Sequence, residues 1–158
     1  MKKTLTLIIL IIAFIFMYKN AESQEIETDV KFKTNAIYGN VGIFPIYGTA
    51  ILNYERNLNQ NTFNRNISSL LKFGFGEYLA WAIGGEIVLA QYGLMFFPGN
   101  HHLEVGIGAT YYINGDMGDL FFPAVNVGYR FQKPGGHFIF RTGISFPEAA
   151  HLGIGFAF

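Results

Sequence analysis

The residues of this chain best suited to chemistry are a histidine pair followed by a carboxylate, His101, His102 and Glu104. Imidazole and carboxylate groups bind metal ions and exchange protons, so this spacing suggests a metal site or an acid–base pair. Along a strand, however, His102 and Glu104 share one face while His101 points the other way. At most two ligands then converge, and zinc needs three or four. We therefore expect no metal, no cofactor and no catalytic residue here. We expect instead that one histidine lies at the rim of the fold, beside His102 and Glu104 packed as a pair that faces inward.

A serine nucleophile is the second chemical possibility. Nucleophilic catalysis needs a serine hydroxyl within hydrogen-bond reach of its base. His137 and Ser145 share a strand face, but an extended strand separates them by about 26 Å. The eight-stranded lipid A deacylases carry a His-x-Ser pair, and this chain has none. We expect a protein that is not an enzyme, and keep a lipid-modifying barrel enzyme of the deacylase type as the alternative.

Composition and the first residues of the chain indicate export. Lys2 and Lys3, an apolar run over 7–17 and the sequence Ala21-Glu22-Ser23 predict a cleaved signal peptide over residues 1–23. Residues 24–158 then form one domain, with eight basic and ten acidic residues, a balance that predicts no nucleic-acid partner. The absence of cysteine excludes disulfides and thiolate metal sites.

The rest of the chain is too apolar for an ordinary water-soluble domain. The whole chain is 51% hydrophobic, 17% aromatic and 14% charged, whereas about 25% charged residues is usual. No stretch after residue 23 approaches the roughly 20 apolar residues of a membrane-spanning helix. Apolar residues alternate instead with polar or small ones, which predicts strands near 31–39, 46–57, 69–78, 86–97, 102–112, 124–132, 137–146 and 151–158. We therefore predict an all-β fold, an eight-stranded antiparallel up-and-down transmembrane β-barrel.

The two faces of these strands differ in a way that orients the barrel. The polar face is rich in glycine, which suits the narrow interior of eight strands and would make a poor water-facing surface. The bulky apolar face would then contact lipid. We expect the charges of the inward face to form a packed polar core, because an unpaired charge there costs several kcal/mol. The candidates are Glu55, Lys72, Glu86, Glu104, Arg130 and Arg141.

Turn composition also predicts which residues lie side by side. The turn that contains Pro134-Gly135 would place Arg141 beside Gly128, and the next hairpin would place Arg141 beside Gly155. By similar reasoning Glu104 would lie beside Arg130. A lumen filled in this way is plugged, which argues against conduction. A narrow pore is therefore only our second alternative function.

The last predicted strand has a pattern of its own. Its apolar face carries Leu152, Ile154, Phe156 and Phe158, which looks like the C-terminal assembly signal of outer-membrane barrels. If both termini lie in the periplasm, the external connections fall near 41–45, 80–85, 115–119 and 147–150. Trp81, in the second of these, is expected to be an interfacial anchor, with a partner contact as the alternative.

Three segments carry a resemblance to a known group. "GYRFQKPGGHFIFRTGISFPEAAHLGIGFAF", "NHHLEVGIGATYY" and "YERNL" resemble small, uncharacterised outer-membrane β-barrel proteins of the eight-stranded OmpX and OmpA-barrel type. The resemblance implies a barrel in the bacterial outer membrane that is exported by the general secretory route. Its partners would be outer-membrane lipid and, through the C-terminal strand, the barrel-assembly machinery. We expect a monomer with a structural or interaction role in the envelope.

Overall fold

A computed structural model of the protein describes residues 31–60, 62, 67–81, 83–115 and 120–158. The predicted signal peptide and most of the acidic connector after Gly115 lie outside these residues. The described part of the chain contains no helix that is long and apolar enough to cross a membrane. It forms strands β1 (Asn35–Phe44), β2 (Tyr47–Asn59), β3 (Ser68–Ala80), β4 (Ile83–Phe96), β5 (His101–Gly115), β6 (Leu120–Gln132), β7 (Phe138–Phe146) and β8 (Ala149–Ala157).

The eight strands close into one barrel in simple sequence order. Each strand is antiparallel to its neighbours, and β1 pairs with β8 from Ala36 opposite Ala157 to Ile43 opposite Ala150. The predicted eight-stranded antiparallel barrel is confirmed. We call the end at which β1 begins and β8 finishes the near end. The far end carries the β1–β2, β3–β4, β5–β6 and β7–β8 connections.

Alternation along each strand sorts the side chains between lumen and outer surface. In β1, Ile37 and Val41 are exposed while Tyr38 and Asn40 are buried. Successive residues of a strand point to opposite faces, so the sequence period of two becomes an apolar outer face and a polar inner face. The boundaries move by a few residues, since β1 begins at Asn35 rather than 31 and β8 at Ala149 rather than 151.

Glycine on the inner face leaves room for the side chains of the neighbouring strand. A Cβ atom added at Gly155 would overlap Tyr38 of the neighbouring strand, and one added at Gly153 would overlap the Asn40 amide. Gly39, on the outer face, has nothing within 4 Å of such an atom. Gly153 and Gly155 are therefore required by packing, because a larger residue at either position would overlap its neighbour.

Two of the expected strand registers are wrong by two residues. Arg141 lies opposite Arg130 on β6 and Gly153 on β8, rather than Gly128 and Gly155. Pairing between β6 and β7 begins only at Gln132 opposite Ile139. The connection between these strands is therefore longer than the tight turn that its composition suggests. The β7–β8 pairing ends with Ser145 opposite Ala149, which makes that connection shorter than expected.

The third register expectation is wrong by the same amount, although the predicted contact forms. Glu104 lies opposite Gly128, and Arg130 lies opposite His102. Cross-strand neighbours two residues apart remain within reach of long side chains. The diagonal approach therefore brings the Glu104 carboxylate to 3.5 Å from the Arg130 guanidinium.

Candidate functional site

The near half of the lumen is crossed by a salt-bridge network centred on Arg130. Its Nη1 donates to Glu55 Oε1 at 2.6 Å, which joins β6 to β2 across the barrel. Its Nε and Nη2 both donate to Gln132 Oε1, at 2.9 and 2.6 Å. The hydroxyl of Tyr38 donates to the second oxygen of Glu55 at 3.2 Å. All four side chains are buried, so each charge has a partner in a region of low dielectric.

A second arginine extends the network to β5 and β7. Arg141 Nη2 donates to Glu104 Oε1, and Asn126 Nδ2 donates to the same oxygen at 3.0 Å. The Arg141 guanidinium also lies over the Tyr38 ring, 4.3 Å from its centroid, in cation–π geometry. Five strands are thus cross-linked through the interior, and the side chains that connect them occupy the path along the barrel axis.

Lys72 shares this interior but has a different environment. It lies opposite Glu55 on β2 and Gln91 on β4, and it is buried. Its Nζ has no hydrogen-bond partner among the described protein atoms. Of the six residues predicted to form the polar core, the structure places Glu55, Glu104, Arg130 and Arg141 in one network, with Lys72 beside it.

Glu86 is the exception, and its predicted place in the lumen is corrected. It lies opposite Glu77 of β3, an exposed residue, and next to Ile87, which is fully buried. Directly opposed residues of an antiparallel pair point to the same side, so Glu86 faces outward. The inward positions of β4 are Ile87, Leu89 and Gln91. We expected Glu86 to point inward because it is charged. Alternate residues of a strand point to opposite faces, so the inward positions of Ile87 and Leu89 place Glu86 on the outer face.

The far half of the lumen is closed by rings and by a turn of the chain. Tyr78, Tyr112 and Ile51 belong to a buried cluster with Ile87 and Leu89, and the Tyr78 and Tyr112 rings meet edge to face at 5.0 Å between centroids. Such an edge-to-face contact adds to the stability that burial of the rings already provides.

Beside this cluster the β7–β8 turn bends into the mouth of the barrel. Glu148 is 1% exposed, and its carboxylate accepts hydrogen bonds from Asn40 Nδ2 at 2.6 Å and Ser145 Oγ at 2.9 Å. A Cβ added at Gly42 would overlap the Glu148 carbonyl oxygen, so the turn rests directly on β1. We call residues 147–149 the inserted turn.

The pKa of Glu148 reflects its surroundings. Burial alone raises the pKa of this carboxyl, but the positive charge of Lys72 and the hydrogen bond from Asn40 outweigh that effect. The pKa therefore lies below its ordinary value, and the carboxylate form is favoured. Glu148 thus holds the inserted turn as a charged group.

The histidines that first suggested chemistry are divided between the two faces. His102 is buried, with Nδ1 2.8 Å from the Phe97 carbonyl oxygen and Nε2 3.1 Å from that of Gln132. His101 is exposed, and its Nδ1 lies 2.6 Å from the Tyr129 hydroxyl. Among the described residues no three His, Cys, Asp or Glu side chains come together as metal ligands would. The two histidines therefore do not form one site.

The four residues of the predicted assembly signal lie on the outer face. Leu152, Ile154, Phe156 and Phe158 are each about half exposed, at 54%, 58%, 54% and 49%. The aromatic ring of Phe156 stacks on His137 at 4.7 Å between centroids. The C-terminal strand thus presents a continuous apolar row beside β1 and β7.

Comparison with protein-family models, curated proteins and solved structures finds no match for the chain. The geometry defines it as a closed eight-stranded β-barrel with a charged interior. Its resemblance to small outer-membrane barrels stays a prediction.

Several residues of the site were missed from sequence. Asn126 and Gln132 stand on the polar face of the predicted sixth strand, yet neither carries a charge that would single it out. Tyr38 alternates with the apolar residues of β1, and nothing in the sequence distinguishes it from the other aromatic residues of the chain. Glu148 and Asn40 are 108 residues apart, and only the closure of β8 on β1 brings them together.

Proposed function

We propose that this protein is a small integral β-barrel of the bacterial outer membrane, with a lumen plugged by its own side chains and a structural or interaction role in the envelope. The observation that carries the proposal is the inverted distribution of polarity. Buried side chains include Glu55, Glu104, Arg130 and Arg141, whereas large apolar side chains such as Phe75 and Ile107 are 54% and 67% exposed. An outer face of this kind is stable against lipid and unstable in water.

The proposed lack of catalysis is supported by the geometry around Ser145. Its hydroxyl donates to the Glu148 carboxylate rather than to a histidine ring. Because the pKa of the Glu148 carboxyl lies below its ordinary value, this carboxylate is a weak base for activating a serine. Mass analysis of lipid A from cells with and without the protein tests this directly. We expect identical profiles, and a lost or added acyl chain would favour the lipid-modifying enzyme.

The proposed plug is supported by the two closures of the lumen, the Arg130 network and the inserted turn. Eight strands leave a lumen that side chains can fill. In planar bilayers we expect no stable open steps from the wild-type protein. Stable steps of uniform size would favour the narrow pore instead.

The experiment that tests the proposal as a whole is expression of the full chain in a Gram-negative host. We expect the protein in the outer-membrane fraction, and we expect the purified protein to require detergent or lipid in order to stay folded and dispersed. A folded monomer in plain buffer, or recovery in the soluble periplasmic fraction, would overturn the proposal.

A further inference from the structure

The outer face of β1–β4 has a depression near the far end. Two rows of outward residues cross these four strands, and small side chains occupy positions where the rest of the outer face carries bulky ones. Gly48, Ala50 and Gly84 form its floor, and Leu79 forms part of its wall. The volume of the depression is about 560 Å³. We call it the far-end groove.

Two carboxylates stand at the edge of this groove. Glu77 of β3 lies directly opposite Glu86 of β4, and both point outward. Neither forms an ion pair among the described residues. Like charges directly opposite one another are unfavourable. A cation placed between them would remove this cost.

The described part of the chain supplies no such cation. Its basic residues are either buried in the lumen, as Lys72 and Arg130 are, or lie at the near end, as Arg56 does. A second copy in the same orientation would carry its described basic residues at those same levels. No described basic residue of this chain, or of a second copy in the same orientation, therefore complements Glu77 and Glu86.

The size of the far-end groove favours a polypeptide over a metal ion. Two carboxylates are fewer than the roughly six to eight oxygens that Ca²⁺ takes, and a bare ion would leave most of about 560 Å³ unfilled. A guanidinium or ammonium group on an apolar segment meets both needs, because its neighbours can pack on the glycine floor. The hairpin tips beside the groove add contact area, since Ile43 and Trp81 are 66% and 79% exposed.

We propose that the far-end groove docks a membrane-embedded partner polypeptide that places an arginine or lysine side chain against Glu77 and Glu86. This inference rests on the proposed function, because it takes the outer face to lie in a membrane. It assigns the proposed interaction role to the far-end groove. It also gives Trp81 a place at the edge of a protein interface.

Trp81 is the only tryptophan of the chain and lies next to the groove, so it reports binding. The full chain is folded into phosphatidylcholine vesicles. The probe is a membrane-spanning Leu/Ala peptide with a dansyl label and one arginine near its interfacial end, and the matched peptide carries glutamine there. We expect energy transfer from Trp81 to reach its half-maximum at about a tenfold lower fraction of the arginine peptide.

Variants of the barrel separate charge from shape. Glu77→Gln combined with Glu86→Gln should abolish the advantage of the arginine peptide. Ala50→Leu fills the groove and should weaken binding of the arginine peptide several-fold, whereas Ala109→Leu, at another exposed outward alanine, should leave it unchanged. Circular dichroism of each variant in the vesicles verifies the barrel.

Two results would overturn the inference while the proposed function stands. One is equal binding of the arginine and glutamine peptides to an inserted, folded barrel. The other is an equal change in Trp81 emission when lipopolysaccharide and Mg²⁺ are added without peptide, lost in the same double variant, which would assign the groove to lipid. Failure of the chain to insert into any vesicle would overturn both proposals.

Discussion

The two halves of the lumen are closed by different kinds of interaction. In the near half, Arg130 bridges opposite walls through Glu55 and Arg141 joins β7 to β5 through Glu104, and the closure depends on charge. In the far half, tyrosine rings and aliphatic side chains fill the space, and Glu148 fixes a turn of backbone over the mouth. The near closure is built from strand residues, whereas the far closure includes the β7–β8 connection.

This difference predicts where the barrel is sensitive to change. A buried charge network is costly to break at one point, because every remaining member loses a partner. A turn held by neutral donors to one carboxylate is cheaper to release. We therefore expect near-half substitutions to affect the whole barrel and far-half substitutions to act locally.

The largest effect is expected from Arg130→Met. It leaves Glu55 buried without its 2.6 Å partner and should lower the free energy of unfolding by about 3–5 kcal/mol. Denaturant unfolding in lipid vesicles measures it. Arg56→Met is the matched control, because Arg56 is exposed and should change stability by less than about 0.5 kcal/mol. A similar small loss for Arg130→Met would show that the network does not hold the near half.

Gly155→Val should have the next largest effect. The added side chain would overlap Tyr38, which carries the cation–π contact with Arg141, and overpacking of this kind costs about 1–3 kcal/mol. Gly39→Val, at an outward glycine with free space, serves as its control and should be tolerated. The same unfolding assay applies, and equal midpoints for the two variants would contradict a tightly packed near half.

Glu148→Ala addresses the far half. It removes the acceptor of Asn40 and Ser145, so about 1–3 kcal/mol of local stability should be lost at the inserted turn. Hydrogen exchange should speed up over residues 147–151 and stay unchanged in the near half around Arg130. Uniform acceleration throughout the barrel would contradict independent closures.

Acid should release the same turn with a smaller effect. The folded pKa of Glu148 lies below its ordinary value of 4.5, so its contribution is present above that value and is lost as pH falls through the folded pKa. A spin label at Ala150→Cys should become more mobile on acidification. Glu148→Gln should remove this pH dependence, and a persistent response would assign the effect to another group.

Much of this architecture follows from sequence periodicity. The alternation in β5–β8 predicts both the strands and their inward faces, because one buried face and a period of two leave a single consistent orientation. The strand register cannot be predicted where the length of the turn is ambiguous, as at residues 133–137. The inserted turn cannot be predicted either, because it depends on contacts between residues far apart in sequence. Glu86 shows that a charge within an apolar strand does not reveal its face unless the parity of its neighbours is known.

The central claim is that the apolar face meets lipid and the charged face is enclosed. The chain has no cysteine, so single spin labels can be placed at outward positions such as Leu52, Phe75 and Ile154 in reconstituted vesicles. We predict high accessibility to lipid-soluble oxygen and low accessibility to a water-soluble nickel complex at all three positions. Labels that nickel reaches as readily as oxygen would show that this face meets water, and would contradict the account.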